Sequence, residues 1–144
     1  MKLSIFASGS SGNCLLLSSG DCHILIDAGI SMRRIQAGLR EAALDFHDVS
    51  GVLITHEHSD HISGLKMLCK HHGLPVYAPH TIVNRLRGML PELESCLRII
   101  RVGEAFPLAG FKITAFPTPT TRMRVLATGW KAAAVLPWPP IWVM

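Results

Sequence analysis

The chain has 144 residues, of which 49% are hydrophobic and 17% are charged. This composition excludes an intrinsically disordered chain, and the length predicts one domain that can bury a core. The formal net charge is +4, but residues 1–119 hold 11 basic and 10 acidic side chains. The basic excess lies mostly in residues 120–144 and is therefore poor evidence for a nucleic-acid-binding surface.

Membrane insertion and export are not expected. No apolar stretch reaches the roughly 20 residues that a membrane span needs, and the N-terminus lacks the apolar core of a signal peptide. We therefore expect a cytoplasmic protein without a membrane partner. The four cysteines form no Cys-x-x-Cys pair, so we expect free thiols or buried side chains rather than disulfides. They are Cys14, Cys22, Cys69 and Cys96.

The N-terminal residues 2–26 predict a meander of three strands, with a hairpin at Ser19-Gly20-Asp21. A Gly/Ser-rich stretch, residues 8–13, joins the first two strands. It could hold an anion through its backbone amides, although such a stretch is more often only a tight connection. Asp27 comes directly after the third strand and precedes Ala28-Gly29, where it would end the strand or cap the next element.

Strands and helices alternate after this meander, which predicts a layered α/β fold. We expect helices at 31–43, 62–72 and 81–90, and strands at 49–55, 76–78, 97–102 and 111–116. Ser31 is expected to cap the first helix and Gly73 to end the second. His80 is expected to cap the third helix, with a position facing the cleft as the alternative. His71 and His72 suit the negative end of a helix dipole, so they need no metal to explain them.

Metal-binding side chains are concentrated in Thr55-His56-Glu57-His58-Ser59-Asp60-His61, directly after a buried strand. Alternate residues of a strand share a side, so His56 and His58 are predicted to point the same way. Asp60 and His61 would approach the same volume from the following bend. Imidazoles suit zinc, iron and nickel, and a carboxylate adds manganese. The alternative is a polar loop with surface histidines. The apolar strand directly before the motif argues against this alternative.

This motif resembles the signature of the metallo-β-lactamase-fold hydrolases. Residues 3–14 and Leu25-Ile26-Asp27-Ala28-Gly29 resemble one bacterial branch of that family, the WalJ/YycJ-like proteins. The resemblance covers residues 1–119. It implies an α/β fold of the αββα sandwich type, represented here by its N-terminal half, a mixed sheet with flanking helices. It also implies a cofactor of two divalent ions, with zinc as the first choice and manganese or iron as alternatives.

The resemblance implies that His56 and His58 hold one metal, and that Asp60 and His61 hold the second. A metal-activated hydroxide would attack an ester, and Asp60 would orient it as the catalytic carboxylate. Asp27 would support the ligands as a hydrogen-bond acceptor. The implied substrates are nucleic-acid or small-molecule phosphodiesters, slightly ahead of thioesters and lactones, and the oligomeric state is not predicted.

Two residues of the motif are given other roles. Glu57 and Ser59 would point away from the ligands, so we expect them to be exposed to solvent or to support the site from outside.

The resemblance stops after Phe116-Pro117-Thr118-Pro119. Relatives continue with a His-Asp pair and a later bridging aspartate, whereas this chain continues with Thr120-Thr121-Arg122-Met123. Back-translation of residues 120–144, read one base earlier, gives a string that resembles the expected continuation. We therefore predict domain 1–119 and a frameshifted, poorly ordered tail at 120–144. A genuine lineage-specific tail is the alternative.

The tail determines what this chain can do. Four ligands remain at most, two for each ion, so we predict weak metal affinity and little activity. At the family level the chain is predicted to be a metal-dependent hydrolase of the phosphodiesterase or nuclease kind. The alternative for this chain is a truncated, catalytically inactive fragment that binds metal weakly or not at all.

Overall fold

A computed structural model describes residues 1–117, 123–129 and 141–143, and the last two ranges are described mainly by their backbone. The strands are β1 (Lys2–Ala7), β2 (Cys14–Ser19), β3 (Cys22–Ile26), β4 (Val49–Leu53), β5 (Val76–Pro79), β6 (Leu97–Ile100), β7 (Ala105–Leu108), β8 (Phe111–Pro117), β9 (Met123–Gly129) and β10 (Ile141–Val143). The helices are α1 (Met32–Glu41), α2 (Ser59–Ile62), α3 (Leu65–His72) and α4 (His80–Met89), with short 3-10 turns at Phe46–Asp48 and Pro91–Leu93.

The first sheet has six strands in the order β1-β2-β3-β4-β5-β6. Strands β1, β2 and β3 pair antiparallel, as the predicted meander requires, and β3 to β6 pair parallel. Ile26 on β3 is in register with Leu53 on β4. Because parallel strands end at the same edge, the loops after β3 and β4 lie side by side, and this edge is where ligands bind in many α/β sheets.

The second sheet is antiparallel in the order β10-β9-β8-β7. Phe111, Ile113 and Ala115 of β8 are fully buried in the same apolar cluster as residues of the first sheet. The two sheets therefore share one core, and the mixed first sheet is flanked by helices. The predicted α/β fold class is confirmed.

The predicted tail, residues 120–144, is only partly described. Residues 123–129 and 141–143 form β9 and β10, and the rest of the tail lies outside the described residues. The boundary at residue 119 and the frameshifted origin of the tail stay predictions.

The helix ends agree with the sequence signals in two of three cases. Ser31 caps α1 by accepting a hydrogen bond from the Arg34 amide at 3.3 Å, and Gly73 ends α3 with a left-handed φ of 59°. The expectation for His80 was wrong. It is the first residue of α4, Pro79 is the cap residue, and the exposed imidazole lies beside Asn84 instead.

The single helix predicted at 62–72 is divided into α2 and α3 around Gly64. A Cβ at Gly64 would lie 2.3 Å from the Ile30 carbonyl oxygen and 3.1 Å from that of Ala28. The chain bends here because it packs against the turn that comes after β3. Among the described residues, no helix is both long and apolar enough to cross a membrane.

Candidate metal centre

Strand β4 carries the histidine motif to the carboxyl edge of the first sheet. The predicted strand to Thr55 ends earlier, at Leu53, and α2 begins at Ser59. Thr55 and His56 are buried, Asp60 and His61 are half-buried, and His58 is exposed. The motif is therefore not a polar surface loop, because it enters the core at one end and opens to solvent at the other.

Asp27 is the central anchor of the motif. Its side chain is 6% exposed, and its backbone has a left-handed φ of 60°. Oδ1 accepts a hydrogen bond from the Thr55 amide at 2.8 Å, while Oδ2 accepts from Thr55 Oγ1 at 2.6 Å and lies 2.8 Å from His61 Nδ1. Asp27 thus both marks the end of β3 and supports the motif as an acceptor, so its two interpretations are compatible.

The contact with Asp27 sets the orientation of His61. A carboxylate only accepts hydrogen bonds, so Nδ1 carries the proton, and in the neutral imidazole Nε2 then presents a lone pair. His61 Nε2 lies 3.4 Å from Asp60 Oδ2. Two ligands bound about 2.0–2.1 Å from a tetrahedral zinc ion are about 3.4 Å apart. The Asp60 and His61 donors are therefore spaced as two ligands of one ion would be.

The other histidines gather beside this pair. The rings of His56 and His58 have centroids 3.8 Å apart, and those of His56 and His61 are 5.2 Å apart. The donor chemistry suits a divalent ion, and the structure brings all four predicted ligands together. Within the described residues, however, no three His, Cys, Asp or Glu side chains are arranged to hold an ion. The motif has the chemistry and the anchoring of a metal site without a complete set of converging ligands.

Glu57 departs from the expectation of exposure to solvent. Its side chain is 7% exposed and forms an ion pair with Arg85 of α4. Glu57 Oε2 lies 3.9 Å from His56 Nδ1. The carboxylate therefore connects α4 to the motif and supports it from behind, whereas Ser59 is exposed, as expected.

Backbone contacts hold the motif against the turn after β3. The Asp60 carbonyl accepts from the Asn13 amide at 2.7 Å, the His61 carbonyl accepts from the Ala28 amide at 2.8 Å, and Gly29 N donates to the Asn13 carbonyl at 2.8 Å. A Cβ at Gly29 would lie 1.7 Å from the Asp60 carbonyl oxygen, so only glycine fits.

Sequence reasoning missed Asn13, Thr55 and Arg85 as contributors to this site. Asn13 and Thr55 lie within the stretches that carry the family resemblance, and this was the available signal. The pairing of Arg85 with Glu57 depends on tertiary packing and had no signal.

Two of the cysteines are poor metal ligands. Burial, and then the Asp27 carboxylate, raise the pKa of the Cys14 thiol to about 12. Burial and a hydrogen bond with Cys96 raise the pKa of Cys69 to about 12. Metals bind the thiolate, and at neutral pH these groups are thiols. All four cysteines are free, as predicted.

Comparison with known families places the chain in one superfamily. Residues 7–96 match the sequence model of the metallo-beta-lactamase superfamily. The matched range is well over half of the chain. The chain belongs to this superfamily. The match spans the meander, the Asp27 turn and the whole histidine motif.

Curated relatives place the chain in the WalJ/YycJ-like branch. It is 36% identical over 117 residues to the exodeoxyribonuclease YycJ of Bacillus anthracis, a match that covers 81% of this chain and 44% of the relative. It is 46% identical over 77 residues to the exodeoxyribonuclease WalJ of Streptococcus pneumoniae strain D39, covering 54% and 29%. A ribonuclease Z of Agathobacter rectalis is 33% identical over 115 residues, covering 71% and 37%. The chain thus spans less than half the length of these relatives.

Solved structures show the same fold. A B3 metallo-beta-lactamase with an active-site glutamic acid superposes with a TM-score of 0.72 at 23% identity, covering 92% of this chain and 56% of that one. The Rm3 metallo-beta-lactamase gives a TM-score of 0.70 at 22% identity, covering 92% and 55%. At these identities the likeness concerns the fold alone.

Proposed function

We propose that this chain carries the histidine-motif half of a divalent-metal site of a phosphodiester hydrolase. His56 and His58 would contribute to one ion, and Asp60 and His61 to a second. The observation that carries the proposal is the 3.4 Å separation of His61 Nε2 and Asp60 Oδ2, with His61 held in the required tautomer by Asp27.

The bound metal would supply Lewis acidity and an activated water at neutral pH. Zinc suits the three imidazoles best, and manganese or iron are the alternatives. The contribution of the protein is positional. Asp27 fixes the orientation of the His61 ring, and the buried Glu57 carboxylate lies behind His56. The Asp60 carboxylate can accept a hydrogen bond from an attacking water.

Nucleic acid is the proposed substrate class, because the relatives whose matches cover 81%, 54% and 71% of this chain are named exodeoxyribonucleases and a ribonuclease Z. Thioesters are the runner-up, since a hydroxyacylglutathione hydrolase of Shewanella denitrificans is 34% identical over 84 residues. Linear DNA, single-stranded RNA and a glutathione thioester, offered in parallel, would separate these classes.

The first test measures metal content. The purified chain is stripped with a chelator, dialysed against zinc or manganese, and analysed for metal per chain by mass spectrometry. Wild type should retain metal, whereas His56→Ala and Asp60→Asn should retain about tenfold less. His71→Ala is the matched control, because His71 is an exposed histidine at the end of α3.

The outcomes are distinct. Equal metal content in wild type, His56→Ala and Asp60→Asn would overturn the assignment of the ligands. Metal in wild type without cleavage of any substrate would favour the second candidate, a non-catalytic chain that binds metal weakly. That candidate is favoured by the lack of a three-ligand group among the described residues. A version with one base restored after codon 119 completes the comparison, because it should bind more metal if the tail is frameshifted.

A further inference from the structure

Asn13 contacts the proposed site through its side chain as well as its backbone. Its Nδ2 lies 3.2 Å from Asp60 Oδ2 and 3.3 Å from the Asp60 carbonyl oxygen. With the amide bond from Asn13 N to the same carbonyl, one residue makes three contacts with Asp60. These contacts join positions 47 residues apart in the chain.

The orientation of the Asn13 amide is fixed independently of Asp60. Its Oδ1 accepts a hydrogen bond from the Gly9 amide at 3.1 Å, and its Nδ2 donates to the Gly9 carbonyl at 2.9 Å. A flipped amide would place a donor against the Gly9 amide, so Nδ2 must face Asp60. One proton of Nδ2 is donated to the Gly9 carbonyl oxygen, and the other is shared between the two Asp60 oxygens.

The residues around Asn13 leave this arrangement little freedom. A Cβ at Gly12 would lie 2.5 Å from the Gly29 carbonyl oxygen. The Asn13 carbonyl in turn accepts from the Gly29 amide at 2.8 Å. Asn13 is therefore held between the turn after β1, the turn after β3 and the start of α2.

We propose that Asn13 is a positioning residue for Asp60: its side-chain amide fixes Oδ2 so that the carboxylate keeps its spacing from His61 Nε2. Asp27 does the same for His61 from the opposite side. The two ligands of one ion would then each have a dedicated hydrogen-bond partner from the first 27 residues of the chain. This inference rests on the proposed function, since it assigns Asn13 to the same site.

The test has a metal-free arm and a metal arm. In the metal-free arm, the exchange of the Asn13 side-chain amide protons is measured by NMR in wild type and in Asp60→Ala. We expect slow exchange in wild type and clearly faster exchange in Asp60→Ala. Identical exchange in both proteins would overturn the contact with Oδ2, since Asp60→Ala removes that oxygen and keeps the backbone carbonyl.

In the metal arm, Co²⁺ is titrated into the full chain and its visible absorption bands are recorded. Asn13→Ala should weaken Co²⁺ binding about tenfold and change the bands, as loss of partners around a metal site commonly does. In an Asp60→Ala background the same substitution should change the affinity less than about twofold, because Asn13 acts through Asp60. Ser18→Ala is the control, since it removes one hydrogen bond, to His23, away from the site.

The failures are distinguishable. If wild type binds no Co²⁺, the proposed function fails, and the amide-exchange arm alone decides on the Asn13 contact. If wild type binds Co²⁺ and Asn13→Ala binds it equally well with the same bands, the positioning role is wrong. An equal loss of affinity in Asn13→Ala and Ser18→Ala would show a merely structural effect, and it would also refute the inference.

Discussion

Replacing Asp27 with Asn tests the anchoring of the motif directly. The amide has the shape of the carboxylate, so the buried pocket stays filled, and Oδ1 can still accept from the Thr55 amide. The second oxygen becomes an NH₂ group that faces Thr55 Oγ1 and His61 Nδ1. Thr55 Oγ1 can accept a hydrogen bond, but His61 Nδ1 can accept one only if its proton moves to Nε2.

The expected magnitude comes from these contacts. A hydrogen bond to a charged group contributes about 1.5–3 kcal/mol, so the free energy of unfolding of the metal-free chain should fall by about 2 kcal/mol. The proton on Nε2 would also occupy the atom that faces Asp60. Metal affinity should therefore fall by about 10- to 100-fold in Asp27→Asn.

Three measurements check this reasoning. Urea unfolding gives the stability, a zinc titration gives the affinity, and a long-range ¹H–¹⁵N spectrum of the imidazoles gives the tautomer of His61. The control is Asp21→Asn, which makes the same charge change at an exposed position in the β2–β3 turn. A His61 that keeps its proton on Nδ1 in Asp27→Asn, with unchanged affinity, would refute the anchoring role of Asp27.

Three further predictions concern the scaffold. Gly29→Ala should lower the free energy of unfolding, measured in urea, by about 3 kcal/mol or more, because its Cβ would collide with backbone atoms. The control Gly88→Ala has open space around it on α4 and should stabilise the chain by up to about 1 kcal/mol. Equal effects of the two substitutions would contradict this packing. Arg85→Ala should destabilise by about 1–3 kcal/mol by leaving the buried Glu57 carboxylate without its partner, and Glu57→Gln in the same chain should recover part of the loss. Burial raises the pKa of Cys14 to about 12, so this thiol should resist iodoacetamide in the native chain at pH 8 and react faster as the pH approaches 12. Mass spectrometry measures the labelling. Rapid labelling at pH 8 would refute the burial of Cys14.

The sequence predicted the parts of this fold whose signals are local. The meander is one example, because alternation and a Ser19-Gly20-Asp21 turn specify a hairpin without reference to the rest of the chain. The helix broken at Gly64 is the opposite case. Its apolar residues are spaced as in a helix throughout. The bend arises because Gly64 packs closely against the turn after β3, and a local sequence pattern cannot predict such a tertiary contact.

The candidate site divides in the same way. The four proposed ligands could be predicted because they lie within six residues of one another and have distinctive chemistry. Their supports come from elsewhere in the chain: Asn13 from the turn after β1, and Arg85 from α4. The burial of Glu57 could not be predicted either, because a carboxylate enters a core only when a partner compensates its charge. Such pairs are formed by tertiary packing.

The anchors also predict what removal of metal does to the chain. In metal-dependent small domains the ligands have no other partners, so the chain unfolds without its ion. Here the Asp27 carboxylate is satisfied by protein donors, and the carbonyls of Asp60 and His61 both accept backbone hydrogen bonds. The conformation of the motif therefore does not depend on an ion. We expect chelation to leave the circular dichroism spectrum unchanged. The unfolding midpoint should fall only by the amount that mass action gives for a weak ligand. A chain that unfolds on chelation would show that the metal, and not Asp27 and Asn13, organises this edge of the sheet.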